Sequence, residues 1–171
     1  AEMSSINPVL MLPQALATRG DTLALELGGS VMLGAGQFCT SPGLVLGIRS
    51  PEFSGFVEAL SQFFSHQPAQ TLLNAGGLSS YRKGINRLAE VPGIRHIAGS
   101  EQQGNQAFPQ LFQADASLLI DGAEVLQEEV FGPTTVIVEV ADKAQLLRAL
   151  HSLHGQLPAT LLAEPGDLQA F

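Results

Sequence analysis

A chain of 171 residues, 45% of them hydrophobic, is the size of one domain and can bury a sizeable core. Its formal net charge of −8, with only 8 Lys and Arg, offers no basic footprint for a phosphate backbone, which points away from nucleic acid as a partner. No apolar run approaches the roughly 18 residues a membrane span needs, and the stretch Ala1-Glu2-Met3-Ser4-Ser5 lacks the pattern of a signal peptide, so the reading is a cytoplasmic protein with no membrane partner. The one cysteine, Cys39, can form neither an internal disulfide nor a thiolate zinc site of the usual kind.

In chain order, Val9 to Leu12 is a short apolar run closed by Pro13, which suits a buried strand followed by a helix. Asp21 is placed to cap a second helix that carries Leu23, Leu27, Val31 and Gly34 on one face and leads toward Cys39. Leu44 to Ile48 reads as a buried strand, and Phe53, Phe56, Val57, Leu60, Phe63 and Phe64 then recur at helical spacing. From His66 to about Ala114 the pattern is weak. Asn74-Ala75-Gly76-Gly77 reads there as a loop before a helix over Ser79 to Leu88, since Tyr81, Ile85 and Leu88 share a face.

Order returns with Ser117 to Ile120 and then Thr134 to Val138, a β-branched run that is the clearest strand signal. Asp142 caps a helix with Leu146, Leu147, Leu150 and Leu153, and Ala159 to Leu162 forms a last strand. Strands alternating with helices predict an α/β layered fold with a largely parallel sheet, over residues 1–171 as one domain.

The chemistry is concentrated in Gly34-Ala35-Gly36-Gln37-Phe38-Cys39-Thr40-Ser41-Pro42-Gly43, where the thiol sits among small residues between a helix and a strand. A cysteine in such a turn can aim its own backbone N–H at a developing oxyanion, as acyl chemistry on a thiolate requires. Three segments then carry a family resemblance. Gly36-Gln37-Phe38-Cys39 resembles the Gly-Gln-x-Cys segment of the aldehyde dehydrogenase superfamily. Glu128-Glu129-Val130-Phe131-Gly132-Pro133 is similar to its Glu-Glu-x-Phe-Gly-Pro motif, and Glu2-Met3-Ser4-Ser5-Ile6-Asn7-Pro8 resembles its Glu-Leu-Gly-Gly-x-x-Pro segment, with serines in place of the glycines.

The resemblance implies that Cys39 is the nucleophile, attacking an aldehyde to give a thiohemiacetal and, after hydride transfer to NAD or NADP, a thioester. It implies Glu2 as the general base for hydrolysis of the thioester, Glu129 as a contact to the nicotinamide ribose, and Phe131 beside the nicotinamide ring. Leu25-Glu26-Leu27-Gly28-Gly29 fits the base motif better by letters, but Glu26 lies only 13 positions before Cys39 and mid-helix, so the spacing favours Glu2. The serine variant resembles bacterial members that act on fatty aldehydes or α-ketoglutaric semialdehyde.

The resemblance also implies that the fold is a three-layer α/β/α sandwich around a mainly parallel sheet, that an upstream cofactor-binding domain, with an oxyanion asparagine, is missing from this chain, that the isolated piece is inactive, and that the whole enzyme is a homo-oligomer. His66, His96, His151 and His154 suggest no metal site. Two other readings use the same residues: a cysteine hydrolase or acyltransferase built on Cys39, and an interaction domain that has kept the fold without the chemistry.

Overall fold

In the computed structural model, which describes residues 5–170, the first strand is β1 (Pro8–Met11). Pro13 then opens α1 (Pro13–Met32) in the first turn, where its missing N–H forfeits no intrahelical hydrogen bond. The expected pair of helices is present as one element broken at Arg19, whose φ of −149° and ψ of 31° lie outside the helical region. Leu23, Leu27 and Val31 are buried as the spacing predicts. Gly34 is not on their face: it falls past the helix, in a 3₁₀ turn over Leu33–Gly36, and is exposed.

Strand β2 (Leu44–Ile48) leads into α2 (Pro51–Ser65), where the Ser50 side chain accepts from the Phe53 N–H at 3.1 Å and Phe53, Phe56, Leu60 and Phe64 are buried. Helix α3 (Ala75–Glu90) begins earlier than the sequence suggested. The Asn74 side chain accepts from the Gly77 N–H at 2.7 Å, so Ala75-Gly76-Gly77 is the first helical turn and not a loop.

Two elements were not foreseen: β3 (Ile94–Gly99) and β4 (Gln110–Asp115), which pair antiparallel. The run Ser117 to Ile120 belongs to a short helix, α4 (Ala116–Ile120). Strand β5 (Thr134–Val140) follows, and Asp142 caps α5 (Lys143–Ser152) by accepting from the Gln145 N–H at 2.7 Å. The described chain closes with β6 (Thr160–Leu162) and a helix that the sequence reading missed, α6 (Pro165–Ala170).

The six strands form one sheet in the order β3-β4-β5-β2-β1-β6, parallel at every junction except β3 with β4. Alternation along the strands feeds two cores. Val9, Met11, Val45 and Ile137 pack with α1 and α2, while Leu44, Leu46, Val136 and Val138 pack with α3, α4 and α5. The result is the three-layer α/β/α sandwich that the resemblance implies. Among the described residues no helix is long and apolar enough to cross a membrane.

Candidate active site

Strands β5, β2 and β1 are adjacent and run in the same direction, so the residues that immediately precede each of them must meet at one edge of the sheet. Those residues are Glu129 to Pro133, Phe38 to Gly43, and Ser5 to Asn7. Topology alone therefore brings together three segments that lie far apart in the chain. It does so at the amino ends of the strands, opposite to the carboxyl-end crevice where open α/β sheets usually bind ligands.

Beyond α1 the backbone makes a tight reversal. Gly34, Ala35 and Gly36 all have positive φ, at 57°, 58° and 67°, a conformation that Ala35 adopts at a cost in strain. The reversal delivers Cys39 into an exposed turn, closed by the Ser41 N–H donating to the Phe38 carbonyl at 3.0 Å. On the far side, the Gln37 side-chain oxygen accepts from the Leu73 N–H at 2.9 Å.

Gly36 rests directly on the Gly132 carbonyl and Pro133 nitrogen, with no room for a Cβ between them. Gly132 in turn lies against the ring of Tyr81, again too close for any side chain. The Tyr81 hydroxyl donates to the Phe108 carbonyl at 2.7 Å and lies 3.3 Å from that of Pro133, and burial pushes its phenol well above the ordinary tyrosine range. The cysteine segment, the Phe-Gly-Pro segment and α3 are thus stacked in direct contact.

Asn7 joins the first segment to the same turn. Its side-chain amide, buried to 3% exposure, donates to the Cys39 carbonyl at 2.9 Å and to the Ser41 carbonyl at 2.8 Å. Its backbone φ is 47°, in the left-handed region that asparagine tolerates better than most residues. The Ser5 hydroxyl donates to Asn7 Oδ1 at 2.6 Å, and the Ile6 N–H donates to Gln156 Oε1 at 2.7 Å.

Glu129 is half-buried in a cleft that it shares with Ser5, Gly36, Ser41 and Thr134. Removal from water raises its carboxyl above the ordinary value, and a hydrogen bond from the Ser5 backbone offsets part of the rise. Ser41 Oγ, which also lines this cleft, is buried without a hydrogen-bond partner among the described residues. Phe131 leaves 41% of its surface exposed, as Phe38 does with 48%, so each presents an aromatic surface at this edge.

Of the residues singled out in the sequence, Cys39, Glu129 and Phe131 belong to segments that the fold brings to one edge. Glu2 lies outside the described residues. Glu26 is exposed in the middle of α1. Sequence reasoning gave no role to Asn7, Gly132 or Gln156; an asparagine set directly before a proline was the only local signal that Asn7 holds a special backbone. Among the described residues no group of three His, Cys, Asp or Glu is placed to hold a metal ion.

No family model matches the chain. The α-ketoglutaric semialdehyde dehydrogenase of Acinetobacter baylyi is 46% identical over 170 residues, which is 98% of this chain and 32% of that protein. The α-ketoglutaric semialdehyde dehydrogenase 2 of Azospirillum brasilense is 43% identical over 169 residues, with the same coverages. The crystal structure of an NADP-dependent glyceraldehyde-3-phosphate dehydrogenase from Bacillus halodurans, complexed with NADP, superposes with a TM-score of 0.78 at 19% identity, over 98% of this chain and 35% of that one. The chain spans about a third of the length of the relatives it matches. Along nearly its whole length, then, the chain is similar in sequence to about a third of these α-ketoglutaric semialdehyde dehydrogenases and shares its fold with a stretch of an aldehyde-oxidising dehydrogenase of known structure.

Proposed function

We propose that the chain acts, within a longer protein, as the cysteine-bearing part of an NAD- or NADP-dependent aldehyde dehydrogenase, and that its substrate is a short semialdehyde of the α-ketoglutaric type. The observation that carries this reading is the direct packing of Gly36, three residues before an exposed Cys39, on Gly132 of the Phe-Gly-Pro segment. It joins the nucleophile's turn and the segment assigned to the cofactor as one rigid unit.

In this mechanism the Cys39 thiolate adds to the aldehyde carbon, and the exposed turn leaves the approach to sulfur open. A bound nicotinamide nucleotide supplies the hydride acceptor. This edge fits such a group: Glu129 is a half-buried carboxylate that can accept from a ribose hydroxyl, and Phe131 offers an aromatic surface against which a flat ring can pack. Glu2, three residues before Ser5, takes a proton from the water that releases the acid from the Cys39 thioester. The cofactor cradle and a further oxyanion donor belong to a domain outside this chain, so the isolated chain is inactive.

The test uses the whole protein with the semialdehyde of α-ketoglutarate, a medium-chain fatty aldehyde, and either cofactor. Cys39→Ser abolishes turnover, and Glu2→Gln gives one burst of reduced cofactor per active site without turnover. A burst from Glu26→Gln in place of Glu2→Gln would move the base to α1. Full turnover by Cys39→Ser would end the proposal.

A further inference from the structure

We infer that Asn7 is a positioning residue for Cys39: its side-chain amide is the clamp that fixes the nucleophile's turn to the first strand. The catalytic meaning rests on the reading proposed above, but the clamp itself rests on geometry alone. An amide has two N–H donors, and Asn7 directs one to the Cys39 carbonyl at 2.9 Å and the other to the Ser41 carbonyl at 2.8 Å, across sequence separations of 32 and 34 residues. The first of these carbonyls belongs to Cys39 itself, the residue that must hold still, and the second closes the same turn two residues on. Ser5 Oγ donates to Asn7 Oδ1 at 2.6 Å and so fixes which end of the amide faces the turn.

The clamp is anchored on its other side as well. Ser5 Oγ lies 3.0 Å from Gln156 Oε1 and accepts from the Leu157 N–H at 2.9 Å, while Ile6 donates its N–H to Gln156 Oε1 at 2.7 Å. Just beyond the turn, the Gly43 N–H donates to the Ile6 carbonyl at 2.8 Å, where β1 and β2 begin to pair. Ser5 also lines the cleft that holds Glu129. Ser5, Ile6 and Asn7 therefore touch the cysteine turn, the Glu129 segment and the approach to β6. The positive φ of Asn7 is part of the device, because it turns the side chain back toward the turn immediately before Pro8 fixes the start of the strand.

The turn itself holds Cys39 loosely. Its own closure is one backbone bond, Ser41 N–H to the Phe38 carbonyl at 3.0 Å, and Cys39 and Thr40 are exposed. Taking away the two Asn7 bonds removes the restraints on its carbonyls while β2 stays paired on both sides. Asn7→Asp keeps the shape and the tolerance of positive φ but sets a carboxylate against two carbonyl oxygens. Asn7→Gly keeps the backbone freedom and has no side chain at all.

Because Cys39 is the only cysteine, a nitroxide attached there reports the order of this turn in the isolated chain without aldehyde or cofactor. The expected result is a broad, immobilised spectrum for the parent chain and a mobile component in both Asn7 variants. Amide exchange over residues 38–43 should rise on the order of tenfold, with β1, β2 and β5 unchanged. Ser5→Ala, which leaves Asn7 in place but unorients its amide, should give a smaller change in the same direction. In the whole enzyme Asn7→Asp should lower kcat with the aldehyde KM retained. Unchanged spectra would overturn the inference, and so would loosening spread evenly over the sheet or loss of the fold, either of which makes Asn7 a general structural residue. If the spectra respond while Cys39→Ser retains turnover, the clamp stands and the dehydrogenase reading falls.

Discussion

Gly36 and Gly132, 96 positions apart, touch backbone to backbone: the Gly36 Cα faces the Gly132 carbonyl with no space for even a methyl group. Gly36 also holds a φ of 67°. Both constraints call for glycine, and together they set the distance between the Cys39 turn and the segment that carries Glu129 and Phe131.

Gly36→Ala should therefore be expensive twice over. A left-handed φ alone costs a non-glycine residue about 1–2 kcal/mol, and the clash with Gly132 adds an overpacking cost of about 1–3 kcal/mol. The expected loss is about 2 kcal/mol or more in a urea titration. Gly29→Ala serves as the control, since its site on α1 has nothing within 4 Å of an added Cβ and should be neutral or stabilising.

Glu129 predicts a pH dependence of definite sign. Burial raises its folded carboxyl above the ordinary 4.5, so the ionised form is disfavoured by folding. Its contribution to stability is present below the unfolded value and is lost as pH rises through the folded one. Glu129→Gln should consequently be more stable than the parent chain at neutral pH, with the difference closing as pH falls toward 4.5. Urea midpoints from pH 4 to 7 measure this, and a difference that widened on acidification would refute it.

Asp167 should be the costliest acidic side chain to remove. It is 2% exposed, its Oδ1 accepts from the Gln14 N–H at 2.9 Å, and its Oδ2 accepts from Ala15 at 3.1 Å and Glu164 at 3.0 Å. Leu12 cannot cap α1 with its own side chain, so α6 supplies the cap from the other end of the described chain. Asp167→Ala leaves three donors stranded and should destabilise by about 2–4 kcal/mol, read from thermal or urea unfolding. Asp167→Asn, which keeps one acceptor, should lose clearly less.

The Asp167 cap also illustrates what a sequence can hide. Elements that announce themselves through composition were legible: the β-branched run of β5, the phenylalanine stripe of α2, and Asp142 before α5. Strand β3 was not, because a register shift between His96 and Ala98 breaks the alternation and leaves Arg95 and His96 facing solvent. Strand β4 begins with a buried Gln110 and ends with Asp115, neither a strand former by propensity. The glycines at the start of α3 have low helix propensity and read as a loop, yet the Asn74 cap on Gly77 draws them into the first helical turn.

At the site, motif letters picked out Cys39, Glu129 and Phe131, yet the contacts that hold the edge together were silent. Gly36 on Gly132, and Asn7 on the Cys39 turn, are long-range contacts between small or polar residues. Such contacts leave no periodicity to read, since their partners are chosen by strand order and not by neighbouring sequence.

That strand order also dictates when the site can exist during synthesis. Strand β2 has β1 on one side, made 36 positions earlier, but its other neighbour is β5, whose matching residues come 92 positions later. A chain emerging from the ribosome thus carries an unsatisfied β2 edge until Val140 has been made, and β1 waits longer still for Thr160 to Leu162. Pairings this remote are slow to close and leave apolar strand edges open to other chains in the meantime. The Cys39 turn, whose floor is Gly132, is therefore assembled only after the Phe131-Gly132-Pro133 segment has been made, long after the thiol itself.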